Sequence, residues 1–447
     1  MSNPTNNEAD EAVATVAKND VSADEKNSPP AAAPVKEGGI RGWLQVIGAF
    51  FIFFNIWGVA FAFGSFQSFY ALTYLVSSGS SAISWIGTVQ SFLLIVGGIV
   101  SGPLFDLGYY RAMIFVGTTL SIVGVMMLSL ADAYYQIFLS QGICMGLGFG
   151  LLYIPSLALV SRAFVRKRAV ALGVSTSGAP TGGIIYTILF EQLLPRIQFA
   201  WTVRVIGFVM LTLFVTAAFL LLWKSPNTQR PAATPGRTRR LFDLRAFGDG
   251  PFWSYTIANF CLFLGYMTPF YYIPTYAETK LGTTRSLGLY ILIISQASSI
   301  IGRVVTTTVA HHFGSMIPWV FCGLLSGVLC LSWISAHSVV RFILYSAFYG
   351  GVSGALIPLP PSVFPHVCPD PSALGTWLGM AQGISGFATL IGAPVAGALA
   401  SIGSRGNADL NFVNIQLFGG IAMISGAFQL MGLWFLLYKK RDKKGLF

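Results

Sequence analysis

The sequence predicts an all-α membrane protein of twelve transmembrane helices arranged as two pseudo-symmetric six-helix halves. Three observations carry that prediction. Of the 447 residues, 54% are hydrophobic and only 10% charged, whereas a soluble domain carries about 25% charged residues, so this surface faces lipid. The apolar residues gather into runs of about 20 or more, the length that crosses a bilayer core as a helix. The basic residues behind the net charge of +11 sit at the ends of those runs. That is a topology signal, not the basic stripe of a nucleic-acid binder.

Taken in order, residues 1–41 hold no aromatic side chain and are rich in Ala, Asn, Ser, Pro, Asp, Glu and Lys. Such a segment buries too little apolar area to fold and is expected as a disordered cytoplasmic tail. It is polar from the first residue and does not read as a secretory signal. Apolar runs follow at roughly 43–75, 83–104, 112–131, 136–161, 169–190 and 201–223. After a polar, basic break come six more, at roughly 251–276, 287–310, 316–336, 340–362, 374–400 and 412–438. The expected domains are the tail 1–41, a first half 42–223, a central cytoplasmic loop 224–250, a second half 251–438 and a basic cytoplasmic C-terminus 439–447.

Orientation follows from the cations. With the N-terminus inside, the cytoplasmic face holds Arg41, Arg111, Arg162, Arg166, Lys167, Arg168, the basic central loop, and Lys439, Lys440, Arg441, Lys443 and Lys444. The other face receives only Arg196, Arg204, Lys280, Arg285, Arg341 and Arg405. This asymmetry points to both termini inside, with the plasma membrane as the expected site and the vacuolar membrane as the alternative.

Small residues mark where the helices meet. The fifth span carries Gly178-Ala-Pro180-Thr-Gly182 and the eleventh carries Gly392-Ala-Pro394-Val-Ala-Gly397, an echo at equivalent places in the two halves. Parallel repeats related by an axis along the membrane normal produce such echoes. Gly178, Pro180, Gly182, Gly392 and Pro394 are expected to supply close packing and kinks. Gly142, Gly146 and Gly150 in the fourth span, and Gly375, Gly379 and Gly383 in the eleventh, read as further seams.

Residues that carry chemistry are few. None of the 16 acids lies deep in a span, which argues against a mid-membrane carboxylate relay. Glu191, near the outer end of the fifth span, is the nearest case, with Arg204 as its expected partner. Arg303 is the exception among the cations, deep in the eighth span, where a charge costs at least about 2.5–3.5 kcal/mol. Either it binds an anionic or strongly polar substrate group, or it hydrogen-bonds carbonyls as a structural residue. Asn55, Gln90, Gln141, Asn259 and Gln296 are the uncharged polar candidates; each either bridges helices or touches substrate, and Tyr266, Tyr271 and Tyr272 accompany them. The 5 Cys are scattered and the 4 His include one adjacent pair, so no disulfide or metal spacing is present. No nucleophile–base constellation or phosphate loop appears, so neither an enzyme nor a cofactor is expected.

The loop after the second span reads Gly102-Pro-Leu104-Phe-Asp106-Leu-Gly108-Tyr-Tyr-Arg111 and resembles the cytoplasmic loop motif of the major facilitator superfamily. The resemblance implies that Asp106 and Arg111 latch neighbouring helix ends in one gate state. Glu37-Gly38-Gly39-Ile-Arg-Gly42-Trp43, the stretch from Phe164 to Gly182, and Ser84-Trp85-Ile-Gly are similar to fungal members of the monocarboxylate-porter branch. The departures are specific. Animal monocarboxylate carriers have a Lys in the first span, and the first span here has none. They also have an Asp one turn before the eighth-span Arg, where this chain has Ser299, and His311 stands where related transporters often show Asp.

The resemblance implies a secondary active transporter working by alternating access, with Asn55, Gln141 and Asn259 on spans that line a central cavity. The expected cargo is a small organic metabolite, a carboxylate or a secondary metabolite, exported across a fungal membrane. The alternatives are an importer of a monocarboxylate or vitamin-like compound and a non-transporting nutrient sensor. Its expected partners are a small-molecule substrate, the lipid bilayer and a coupling proton, with no nucleic acid and the monomer as the working unit.

Overall fold

Inside a bilayer no water is available to backbone groups, so a chain of this composition has to satisfy them within each helix. A computed structural model of the chain describes residues 38–75, 80–223, 243–370, 373–401 and 411–442. Among these residues there is no strand. Most of the expected tail (1–37), much of the central loop (224–242), Arg405, Asp409 and residues 443–447 lie outside the described residues.

The first helix, α1 (Gly39–Phe69), opens inside what the sequence assigns to the tail and ends in a π turn, Tyr70–Tyr74. The second span is two pieces, α2 (Ser80–Val96) and α3 (Gly98–Asp106). α4 (Tyr110–Leu128) follows, then the short α5 (Tyr134–Ile137), a π segment over Phe138–Met145, and α6 (Gly146–Ala163). α7 (Arg168–Thr176) is separated by one residue from α8 (Gly178–Leu222), and Gln198, at φ 63°, divides α8 into two helices. In the described part of the central loop, Leu244–Gly248 forms a 3₁₀ turn capped by Asp243.

α9 (Gly250–Thr279) starts on an Asp249 side chain that accepts from Phe252 N, and α10 (Arg285–Phe313) starts on Thr284, which accepts from Leu287 N. Side-chain acceptors at these positions satisfy amides that have no helical partner. α11 (Met316–Ser332), α12 (Val339–Gly354), α13 (Leu359–Val367), α14 (Leu374–Ser401) and α15 (Phe412–Asp442) complete the chain.

Ten segments among the described residues are long and apolar enough to cross a membrane. One of them, Arg168–Leu222, holds both α7 and the divided α8. Exposed Phe115, Phe208, Phe321, Phe348 and Phe435 line the outside, a surface suited to lipid. Helices before residue 223 pack chiefly on one another, α1 against α8, α7 and α6, and α4 against α6. Those after residue 250 do the same, α9 against α15 and α14, and α10 against α12. The two sets meet along two seams, α14 against α2 and α3, and α10 against α7 and α8.

Glycine decides how close those seams are. A Cβ at Gly102 would fall on the Gly375 carbonyl, and one at Gly379 on the Gly98 carbonyl, so α3 and α14 lie backbone to backbone. Within the first set, Gly178 and Gly182 likewise bring α8 onto the Phe50 and Phe54 carbonyls of α1. Without a hydrophobic driving force in lipid, such van der Waals contact is what holds helices together.

Candidate functional site

At the end of the molecule bearing Arg41, Arg111 and Arg162, Asp106 closes α3 and reaches the start of α14. Its carboxylate accepts from Gly375 N at 3.2 Å, from Thr376 N at 2.7 Å and from Thr376 Oγ1 at 3.0 Å. It therefore acts as an N-terminal cap for a helix of the other set, where amides and helix dipole both favour an anion. Arg162 Nη2 pairs with the same carboxylate at 2.9 Å, and its guanidinium lies over the Phe105 ring, 4.3 Å from the centroid. Arg111 is exposed at the second position of α4. Arg162 and Thr376 went unnoticed in the sequence as partners of Asp106, because Arg162 reads there only as one more topology cation.

The second seam has its own contact at this end. His311, in the last turn of α10, makes a 2.8 Å hydrogen bond through Nδ1 with the Arg166 carbonyl, just before α7. The end of α3 thus engages the start of α14, and the end of α10 engages the approach to α7.

Deeper in, side chains from both sets close a ring. Trp57 and Phe61 of α1 have centroids 6.1 Å apart; Phe61 meets Phe270 of α9 at 5.8 Å, and Phe270 meets Tyr266 at 5.5 Å. Tyr153 of α6 returns to Trp57 at 6.2 Å. Arg303, fully buried, is coupled electrostatically to Tyr266 and Tyr153, the two ends of this chain of rings. Its Nη1 donates to the Thr176 carbonyl at the end of α7. Arg303 Nε, Trp57 Nε1 and the Ser299 hydroxyl have no hydrogen-bond partner within the protein. Each such group left unpaired costs about 1–3 kcal/mol, more when charged.

The polar candidates fall into different surroundings. Gln296 lies two turns before Arg303 on α10 and packs next to Gly183 of α8. Asn259 donates to Gln382 Oε1 at 3.1 Å, joining α9 to α14, and its Oδ1 has no partner. Gln90 is fully buried with both amide atoms unpartnered. Gln141 accepts from Tyr70 Oη at 2.7 Å and keeps an unpartnered Nε2. Asn55 is used up: it accepts from Tyr186 Oη at 2.5 Å and donates to the Met210 carbonyl at 3.2 Å, tying α1 to both limbs of α8.

Gly392 brings α14 against the Leu264 carbonyl of α9, and Pro394 is exposed within α14. Glu191 pairs with Arg285 at 3.6 Å, not with Arg204, which donates to Ser129 Oγ and stacks on Trp201.

A family model described as Major Facilitator Superfamily matches residues 45–366. The MFS-type transporter dbaD of Emericella nidulans is 36% identical over 392 residues, covering 88% of this chain and 85% of that protein. The aspyridones efflux protein apdF of the same species is 33% identical over 415 residues, covering 93% and 82%. Among solved structures, the transporter FucP in its outward conformation matches with a TM-score of 0.67 at 16% identity, covering 89% of this chain and 99% of that one. At that identity the likeness is one of fold alone.

Proposed function

This chain belongs to the major facilitator superfamily of membrane transporters, and on that premise we propose that it exports a small, partly apolar organic metabolite carrying an acidic or strongly polar oxygen group. The observation that carries this reading is the ring of Trp57, Phe61, Tyr153, Tyr266, Phe270 and Arg303, drawn from both sets of helices. Its aromatic walls suit an apolar skeleton, and the unpartnered Arg303 Nε and Trp57 Nε1 suit acceptor oxygens. Gln296, Asn259, Gln90 and Gln141 extend the polar lining, while Asn55 serves as a helix tie.

The mechanism is alternating access between two six-helix halves, 42–223 and 251–438. Dividing Arg168–Leu222 at Gln198 and adding α9 to the ten apolar segments makes the twelve spans of this reading. Both termini and the central loop lie in the cytoplasm, and Asp106, Arg162, Thr376 and His311 hold that side shut. Arg111 adds positive charge at that end, the seam of Gly98 and Gly102 with Gly375 and Gly379 is where the halves slide, and Pro180 and Pro394 kink their helices. The chain works as a monomer in the plasma membrane, in the monocarboxylate-porter branch, with a proton as coupling ion.

The efflux protein for aspyridones among the relatives supports export. Import of a monocarboxylate or vitamin-like compound is the second reading, favoured by Arg303, the one buried cation among the described residues, of the kind that binds a carboxylate. Untargeted metabolomics of cells and medium, comparing deletion with overexpression, separates the two. A compound that accumulates inside the deletion strain and outside the overexpressor is the exported cargo. Depletion of an external carboxylate that stops on deletion would establish the importer, and no difference in either compartment would reject both.

A further inference from the structure

Pro180 has no N–H, so the carbonyl four residues earlier, that of Thr176, loses its helical partner. Within a membrane such a carbonyl has to find another donor. The helix breaks at this point: α7 ends at Thr176 and α8 resumes at Gly178. The donor comes from the other set of helices, where Arg303 Nη1 takes the Thr176 oxygen. Small groups make the approach possible. Gly173 faces Thr307, whose hydroxyl a Cβ at 173 would strike, and that hydroxyl turns back onto the Arg303 carbonyl at 2.6 Å.

We propose that Pro180 is a positioning residue for Arg303: by freeing the Thr176 carbonyl it fixes the guanidinium across the seam between α7 and α10. Arg303 then has two competing partners. One is the Thr176 carbonyl, which holds the seam closed; the other, resting on the export reading above, is the acidic group of the cargo. Cargo that draws the guanidinium away loosens the seam about 12 Å in from the start of α7, at 1.5 Å per residue. Binding is thereby tied to opening without any carboxylate relay.

The test uses the full chain in lipid nanodiscs with its 5 native cysteines replaced. Spin labels go on Y109C and H312C, both exposed and on opposite sets of helices. Double electron–electron resonance should give a short distance in this background, and P180A and R303A should each add a longer one. Because P180A acts through Arg303, it should add nothing in an R303A background, and R303K, which keeps a donor, should recover part of the short population.

An unchanged P180A distribution, or effects of P180A and R303A that add, would overturn the proposal. Should P180A fail to fold, G173A pushes Thr307 and α10 away with the proline intact, and an unchanged distribution there overturns it equally. No cargo enters this measurement, so the export reading stands or falls separately.

Discussion

Replacing Asp106 with Asn should unlock the basic end of the molecule, and a native cysteine reports it. The carboxylate accepts three hydrogen bonds from the start of α14 and one from Arg162. The Asn amide keeps one acceptor oxygen, loses the charge, and presents N–H groups to amide donors. Hydrogen bonds to a charged group are worth about 1.5–3 kcal/mol each, and removing one partner of a buried pair costs about 3–5 kcal/mol. Because Asn retains part of the contact, we expect a loss of about 2–4 kcal/mol from the closed state. That is roughly a 30- to 1,000-fold shift toward opening.

Cys368 lies six residues before Leu374, the first residue of α14, buried, with its thiol donating to the Asp370 carbonyl at 3.1 Å. Burial pushes this thiol up to about 12, so at pH 8 it stays almost wholly the unreactive thiol, whereas an open cysteine is thiolate to roughly a tenth or more. In lipid nanodiscs, where both faces meet solvent, labelling by a maleimide, followed at the Cys368 peptide by mass spectrometry, should therefore track the open population. The rate in D106N should rise at least about tenfold over wild type at pH 8. Between pH 7 and 9 both rates should climb with pH, since the reactive thiolate is the deprotonated form. A folded D106N protein that labels no faster than wild type would refute the capping argument.

Three further outcomes follow from the same geometry. R303A should abolish export of an acidic cargo while R303K retains part of it, measured as transport per molecule at the membrane by surface-normalised efflux. Y186F leaves the Asn55 carbonyl oxygen without its 2.5 Å donor, and a buried group orphaned this way costs about 1–3 kcal/mol, readable as a lower midpoint of thermal unfolding in detergent. E191Q breaks only a 3.6 Å pair whose side chains are 30% and 43% exposed; surface pairs of this kind contribute about 0–1 kcal/mol, so its midpoint should stay near that of wild type.

Much of the fold was legible before any coordinates. Lipid as solvent turns long apolar runs into helices whatever their neighbours, and small residues at regular intervals announce close packing. Gly102, Gly375 and Gly379 were readable as small, yet nothing local says that Gly102 meets Gly375 across 273 positions. Arg303 was legible as anomalous because its cost in lipid is intrinsic to the residue and its depth. Backbone carbonyls were one of its two expected partners, but not which one, since every residue possesses a carbonyl and only the fold brings that of Thr176 to it. For the same reason Asn55 looked like Gln90 in the sequence, although one is fully paired and the other has both amide atoms unpartnered.

The sequence by itself determined that this chain is a multi-pass helical membrane protein, where glycine permits close packing, and which charge lies too deep to be decorative. Those properties depend on each segment and its solvent. Only the tertiary structure decided that Asp106 caps a helix 269 positions away, that Arg162 pairs with it, that His311 meets the Arg166 carbonyl, and that five aromatic side chains gather with Arg303. A buried polar group takes the nearest complementary atom, and which atom is nearest is set by how the helices pack.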